Sequence, residues 1–153
     1  MTTAPPNKVT QEIIGLVVDL VERMHAHFAD VTAGFGLTSI EGRALFVLEE
    51  PLPMGELANT LRCDASYITG ITDRLEEQGL VERQVYANDR RVKHLVLTSK
   101  GEQLREAMLL RTEQGFPATA GLTGEQCLAL RDLLRVTQQD SPAVPTGNVD
   151  TTG

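Results

Sequence analysis

The 153-residue chain has no tryptophan, and its aromatics amount to two tyrosines and four phenylalanines. A core built from it must be aliphatic, and its abundant Leu, Val, Ile and Ala suit packed helices. Only two cysteines occur, Cys63 and Cys127, far apart and outside any Cys-x-x-Cys spacing. That argues against a disulfide framework and against a structural zinc site, and each is expected to be a buried or half-buried free thiol. No stretch reaches the roughly 18 consecutive apolar residues of a membrane span. The N-terminus, Met1-Thr-Thr-Ala-Pro-Pro-Asn7, has no basic segment leading into an apolar one and does not read as a secretory signal. A cytoplasmic protein is expected. No Ser/His/Asp, Cys/His, metal-ligand or glycine-rich phosphate-binding arrangement is recognisable, so the chain reads as a non-enzyme without a cofactor.

What is present is unevenly distributed. The formal net charge is −7, which taken alone opposes binding to a polyanion. Residues 83–100 nevertheless hold Arg83, Arg90, Arg91, Lys93 and Lys100 against only Asp89, a local charge of +4, which leaves −11 on the remainder. A basic stripe on an acidic body focuses phosphate binding at one place.

The length is that of one ordinary domain. Residues 1–9 are expected to be flexible. From Thr10, apolar residues recur at three- and four-residue steps (Ile13, Ile14, Val17, Leu20, Val21, Met24, Phe28), which predicts a helix of about six turns over residues 10–36. It is longer than a small domain needs, which points to a partner chain. Thr38-Ser-Ile-Glu41 reads as a capping box opening a second helix that runs to Pro51. Residues 54–61 form a short third helix, and Asp64 is the expected N-cap of a fourth.

On that fourth helix Ile68, Ile71, Thr72 and Leu75 share one face by 3.6-residue geometry. Ser66, Thr69, Gly70 and Asp73 fall opposite, with Tyr67 and Arg74 at the flank. An ordinary solvated face carries more charge than this one. Short polar groups and a glycine suit a helix that approaches a nucleic-acid groove closely. Gly79 stops the helix, and Leu80–Val85 and Val92–Leu97 alternate as strands around the basic turn Tyr86–Arg91. Ser99-Lys-Gly-Glu102 reads as a capping box for a fifth helix, broken near Gly115–Pro117. Thr123-Gly-Glu-Gln126 caps a sixth carrying Leu128, Leu130, Leu133 and Leu134. The tail, residues 141–153, is expected to be disordered. The fold class is thus mainly α with a small β-hairpin wing: a winged helix-turn-helix over 37–100, with helices for dimerisation at 10–36 and 101–140.

The pattern Leu37-Thr38, Met54-Gly-Glu-Leu-Ala58, Ser66-Tyr-Ile-Thr69, Thr72-Asp-Arg-Leu-Glu76, Gly79-Leu-Val-Glu-Arg83, Asp89-Arg-Arg91 and Leu97-Thr-Ser-Lys-Gly101 resembles the MarR family (multiple-antibiotic-resistance regulators) of bacterial transcription factors. The resemblance implies a homodimer whose first, fifth and sixth helices interlock and whose two winged lobes grip a pseudo-palindromic double-stranded DNA operator. Half-sites would then lie about one helical turn, roughly 34 Å, apart. It also implies that Asp89 steadies Arg91 in a minor groove while Arg90 and Lys93 touch phosphates. Ser66, Tyr67, Thr69 and Gly70 would face the major groove. Many relatives carry a long side chain where this chain has Gly70, which shifts recognition toward Tyr67, Thr69 and the wing. Arg74 has two readings, a phosphate contact or an ion pair with Asp73 or Glu77.

Related regulators bind small aromatic or phenolic anions between the dimer base and the winged lobe, and Met24, His27, Phe28, Arg43 and Phe46 map there. The competing reading for those residues is plain core with one exposed arginine. His25 and His27 stand about 200° apart on their helix and do not make a metal pair. Cys63, just before the fourth helix, offers a redox-responsive alternative, and a winged-helix module that binds protein is the other competitor. The overall reading is a ligand-responsive DNA-binding regulator, in most such families a repressor.

Overall fold

The computed structural model describes residues 7–85 and 93–139. Its elements are α1 (Lys8–Gly34), α2 (Ser39–Val47), β1 (Leu52–Pro53), α3 (Met54–Leu61), α4 (Ala65–Glu77), β2 (Val81–Val85), β3 (Lys93–Leu97), α5 (Ser99–Glu113) and α6 (Gly124–Gln139). The chain divides after Ala118 into two units, the second holding α6. No helix among the described residues is long and apolar enough to cross a membrane.

In the first unit, α2, α3, α4, the sheet and α5 enclose an aliphatic core. Leu45, Leu57, Ile68, Leu75, Leu95 and Met108 are fully buried at its centre. The sheet is antiparallel in the order β1-β3-β2, and β2 pairs with β3 from Val81↔Leu97 to Val85↔Lys93. β1 was not expected. Its two residues pair Leu52 with Leu95 and Pro53 with His94, and a proline is tolerated there because the strand lies at an edge.

Local chemistry fixes the ends of the elements. Asn7 caps α1 by accepting from Val9 N–H at 3.1 Å, so this helix starts at Lys8 instead of Thr10. The box at Thr38 and Glu41 is complete in both directions. α2 ends at Val47 and does not run on to Pro51, in line with the bias of pre-proline residues against helix. Between α3 and α4 the chain turns through Arg62 in the left-handed region, φ 54°. Asp64 occupies the N-cap position of α4, but its side chain makes no capping hydrogen bond.

The end of α4 is a Schellman motif. Gly79, φ 69°, donates to the Glu76 carbonyl and Leu80 donates to that of Leu75, both at 2.9 Å. Leu75 and Leu80 both bury their side chains in the core. The cap of α5 is Thr98, one residue before the expected Ser99. Its N–H donates to Leu80 O at 3.1 Å, and its hydroxyl donates to Gly79 O at 2.6 Å while accepting from Gly101 N–H at 3.0 Å. Those ties to the end of α4 select Thr98 over Ser99. α6 opens with the expected reciprocal cap between Thr123 and Gln126.

Candidate functional site

α4 separates into two faces. Ile68, Ile71, Thr72 and Leu75 are at most 1% exposed, as the 3.6-residue spacing predicts. Ser66, Tyr67, Thr69 and Gly70 are all exposed, and a Cβ placed on Gly70 would meet nothing within 4 Å. The Thr69 hydroxyl donates to Ala65 O at 2.9 Å, which leaves its oxygen as an acceptor only. Thr72 Oγ1 donates to Thr69 O at 2.9 Å and accepts from Arg83 at 3.0 Å.

Two cations of the 83–100 stripe are engaged within the fold. Arg83, on β2, spends its guanidinium on Thr72, Asp73 and Glu76 of α4, and its side chain is only 21% exposed. Lys100 donates to the Gln78 carbonyl at 2.7 Å, at the end of α4. Both belong to the basic stripe of residues 83–100 in sequence, yet both tie α4 to neighbouring elements. Lys93 is exposed at the start of β3, opposite Val85. Asp89, Arg90 and Arg91 lie outside the described residues.

Arg74 pairs with neither Asp73 nor Glu77. Its Nε lies 3.1 Å from Oε1 of Glu41, at the start of α2, whose side chain is 4% exposed. The other carboxylate oxygen, Oε2, accepts from Thr38 N–H at 2.8 Å. Nothing in the spacing of α4 signals this partner, because Glu41 is 33 residues away in sequence.

The five residues proposed for ligand binding come together. Met24, His27 and Phe28 of α1 with Arg43 and Phe46 of α2 border one pocket of about 550 Å³, together with His25, Ser39, Thr112 and Phe116. Phe28 and Phe46 pack with ring centroids 5.4 Å apart. His27 Nε2 donates to Thr112 O at 2.9 Å, which fixes the proton there and leaves Nδ1 unprotonated in the neutral ring. Arg43 is exposed and has no carboxylate partner among the described residues. His25 borders the same pocket although it points away from His27 around the helix. Among the described residues no three His, Cys, Asp or Glu side chains cluster as metal ligands do. A larger cavity of about 630 Å³ is lined by Glu49, Glu50, Glu102 and Glu106 against Arg105, so its charge suits an anion poorly.

Both cysteines are free and half-buried. Cys63 packs against the core, and its thiol donates to Leu61 O at 3.3 Å. The ends of the chain's long helices are different in character. Val9, Ile13, Ile14, Leu16, Val17, Val18 and Val21 of α1 are each 42–63% exposed, as are Leu128, Leu133, Leu134 and Val136 of α6 at 52–66%.

Comparisons with known proteins agree with this arrangement. A model of the MarR family matches residues 41–93. The HTH-type transcriptional regulator FarR of Neisseria gonorrhoeae is 34% identical over 124 residues, 79% of this chain and 84% of that protein. Among solved structures, a MarR family protein from Bacillus stearothermophilus superposes with a TM-score of 0.77 at 24% identity, covering 89% of this chain and 97% of that one. Wild-type MarR from E. coli in its apo form gives 0.72 at 21% identity, covering 89% and 98%. The order of helices and the small antiparallel sheet are thus shared architecture, and the identity with FarR extends over 79% of the chain. The chain belongs to the MarR family of transcriptional regulators, winged-helix proteins that are not enzymes.

Proposed function

We propose that the chain is a homodimeric transcriptional repressor that binds a pseudo-palindromic DNA operator, with α4 in the major groove, the hairpin wing in the minor groove, and a small aromatic anion as effector. The observation that carries this reading is the outward face of α4. Four successive exposed positions on it are small, polar or aromatic, and none is occupied by another part of the described chain. Thr69, acceptor-only through its bond to Ala65, suits the exocyclic amine of adenine or cytosine, the major-groove donors. Asp89, Arg90, Arg91 and Lys93 supply the wing, with Arg91 in the minor groove.

Dimerisation is supported by α1. Its exposed apolar positions cover about 200° of arc at 100° per residue, too wide for one packed neighbour to cover. A two-fold partner that brings more than one helix against it buries such an arc, and a homodimer is the common closed solution. Residues 10–36 and 101–140 are the dimerisation segments in this reading, and 37–100 the DNA-binding lobe.

The pocket between α1, α2 and α5 supplies the effector site. Phe28 and Phe46, tilted at 43° against each other, offer an aromatic wall, and Arg43, without a carboxylate partner among the described residues, offers the counter-charge. The test is a selection of duplexes from a random-sequence library, followed by titration of Arg91→Ala on the recovered site at fixed salt. Loss of at least tenfold in affinity with the dimer intact is expected. Unchanged affinity would remove the wing from the mechanism.

A further inference from the structure

Glu41 is the one buried carboxylate among the described residues, 3% exposed. A carboxylate is costly to bury unless its oxygens are satisfied. Oε2 closes the capping box on Thr38, but that bond needs no charge, since glutamine at this position reaches back equally well. The charge is accounted for by Oε1, which faces Arg74 Nε. The two partners differ sharply in exposure, 4% for the glutamate side chain and 53% for the arginine.

Guanidinium is a rigid planar group, so an ion pair that anchors Nε beside Glu41 limits where its other four N–H groups can reach. Those groups have no other partner among the described residues. By helical geometry Arg74 lies within about 20° of Tyr67, on the flank of the outward face of α4. That is where the sugar-phosphate backbone runs when a helix lies in a groove. We propose that Glu41 is a positioning residue for DNA recognition: from a different helix, it aims Arg74 so that its outer edge meets a backbone phosphate. The proposal rests on the DNA-binding reading above. It assigns a favourable role in binding a polyanion to a negative charge.

That sign makes the test decisive. Glu41→Gln keeps the size and the cap and removes an anion from the DNA-binding lobe. Coulomb's law alone predicts tighter binding. Loss of positioning predicts about tenfold weaker binding, the scale of one charge-assisted hydrogen bond. The probe is a duplex selected by the wild-type dimer from a random-sequence library, titrated by fluorescence anisotropy at fixed salt. Arg74→Lys keeps the charge without the fork and should lose about as much. In an Arg74→Gln background, which leaves no arginine to aim, Glu41→Gln should cause no further loss, and that double variant has no unpaired buried charge to unfold it. Equal or tighter binding by Glu41→Gln, or equal weakening in both backgrounds, would overturn the proposal. Failure of the wild-type dimer to select any duplex would instead overturn the DNA-binding reading.

Discussion

Gly70 sits in the sixth position of a 13-residue helix, where glycine is a poor choice on stability grounds. It costs about 0.8–1 kcal/mol relative to alanine in a helix interior, because it loses the most backbone freedom on folding. A methyl group built there meets no atom of the described residues within 4 Å, so nothing among them offsets the gain from Gly70→Ala. The variant should be more stable by about 1 kcal/mol, which raises the melting temperature by about 2–4 °C in a chain of this size. If α4 lies in a groove with this face toward the bases, the same methyl holds the helix off the DNA. The misfit should cost about 1–3 kcal/mol, the range of one mismatched base pair, while non-specific binding changes little. Thermal unfolding by circular dichroism reads the first effect, and paired titrations on a selected and a scrambled duplex read the second. Stability and specific affinity should therefore move in opposite directions. A more stable variant with undiminished specific affinity would refute the close approach of this face to DNA.

Three other perturbations follow from the packing. In Gly101→Ala the new Cβ would lie 2.0 Å from the Leu80 carbonyl oxygen. That overlap with backbone should outweigh the gain in helix propensity and destabilise by about 1–3 kcal/mol, visible as a lower urea midpoint, whereas a neutral or higher midpoint would contradict the close packing of α5 on the turn after α4. Val17, 50% exposed, lies near the middle of the apolar arc of α1, and Val17→Glu should convert the dimer to monomer at micromolar concentration in sedimentation velocity. An unchanged dimer would exclude α1 from the interface. Arg43→Met should weaken binding of benzoate, the simplest aromatic anion, by about tenfold or more in calorimetry, and equal affinity would show that Arg43 does not face the ligand.

The parts of the fold legible in sequence are those set by local rules. The buried face of α4, the Thr38–Glu41 box, the Thr123–Gln126 cap and the glycine stop at Gly79 all involve residues within a few positions of one another. The parts that escaped depend on distant segments. β1 is two residues long and exists because Leu52 finds Leu95, which no alternation could announce. The cap of α5 moved from Ser99 to Thr98 because Thr98 also reaches Gly79 and Leu80 across the fold.

The same division applies to the site. The outward residues of α4 follow from helical spacing, and resemblance named five residues of the pocket but not Ser39 or, from beyond α1 and α2, Thr112 and Phe116. The partners of the charges were not. Arg83 and Lys100 read as phosphate binders when counted along the chain, and in three dimensions they brace α4 through Asp73, Glu76 and the Gln78 carbonyl. Glu41 read only as a cap, and its second oxygen proved to face Arg74. Spacing reports which face a residue lies on, but not which charge from another element meets it there.

The most direct measurement is the salt dependence of wild-type binding to a selected duplex, with stoichiometry determined in the same titration. Two protomers, each placing about three cations on phosphates, should give log K against log salt a slope near −5, from about −0.9 per phosphate. One dimer should bind per site, and affinity should fall by about a thousandfold between about 50 and about 200 mM salt. Binding by monomer, or an affinity indifferent to salt, would contradict the reading of this chain as a dimeric DNA-binding regulator.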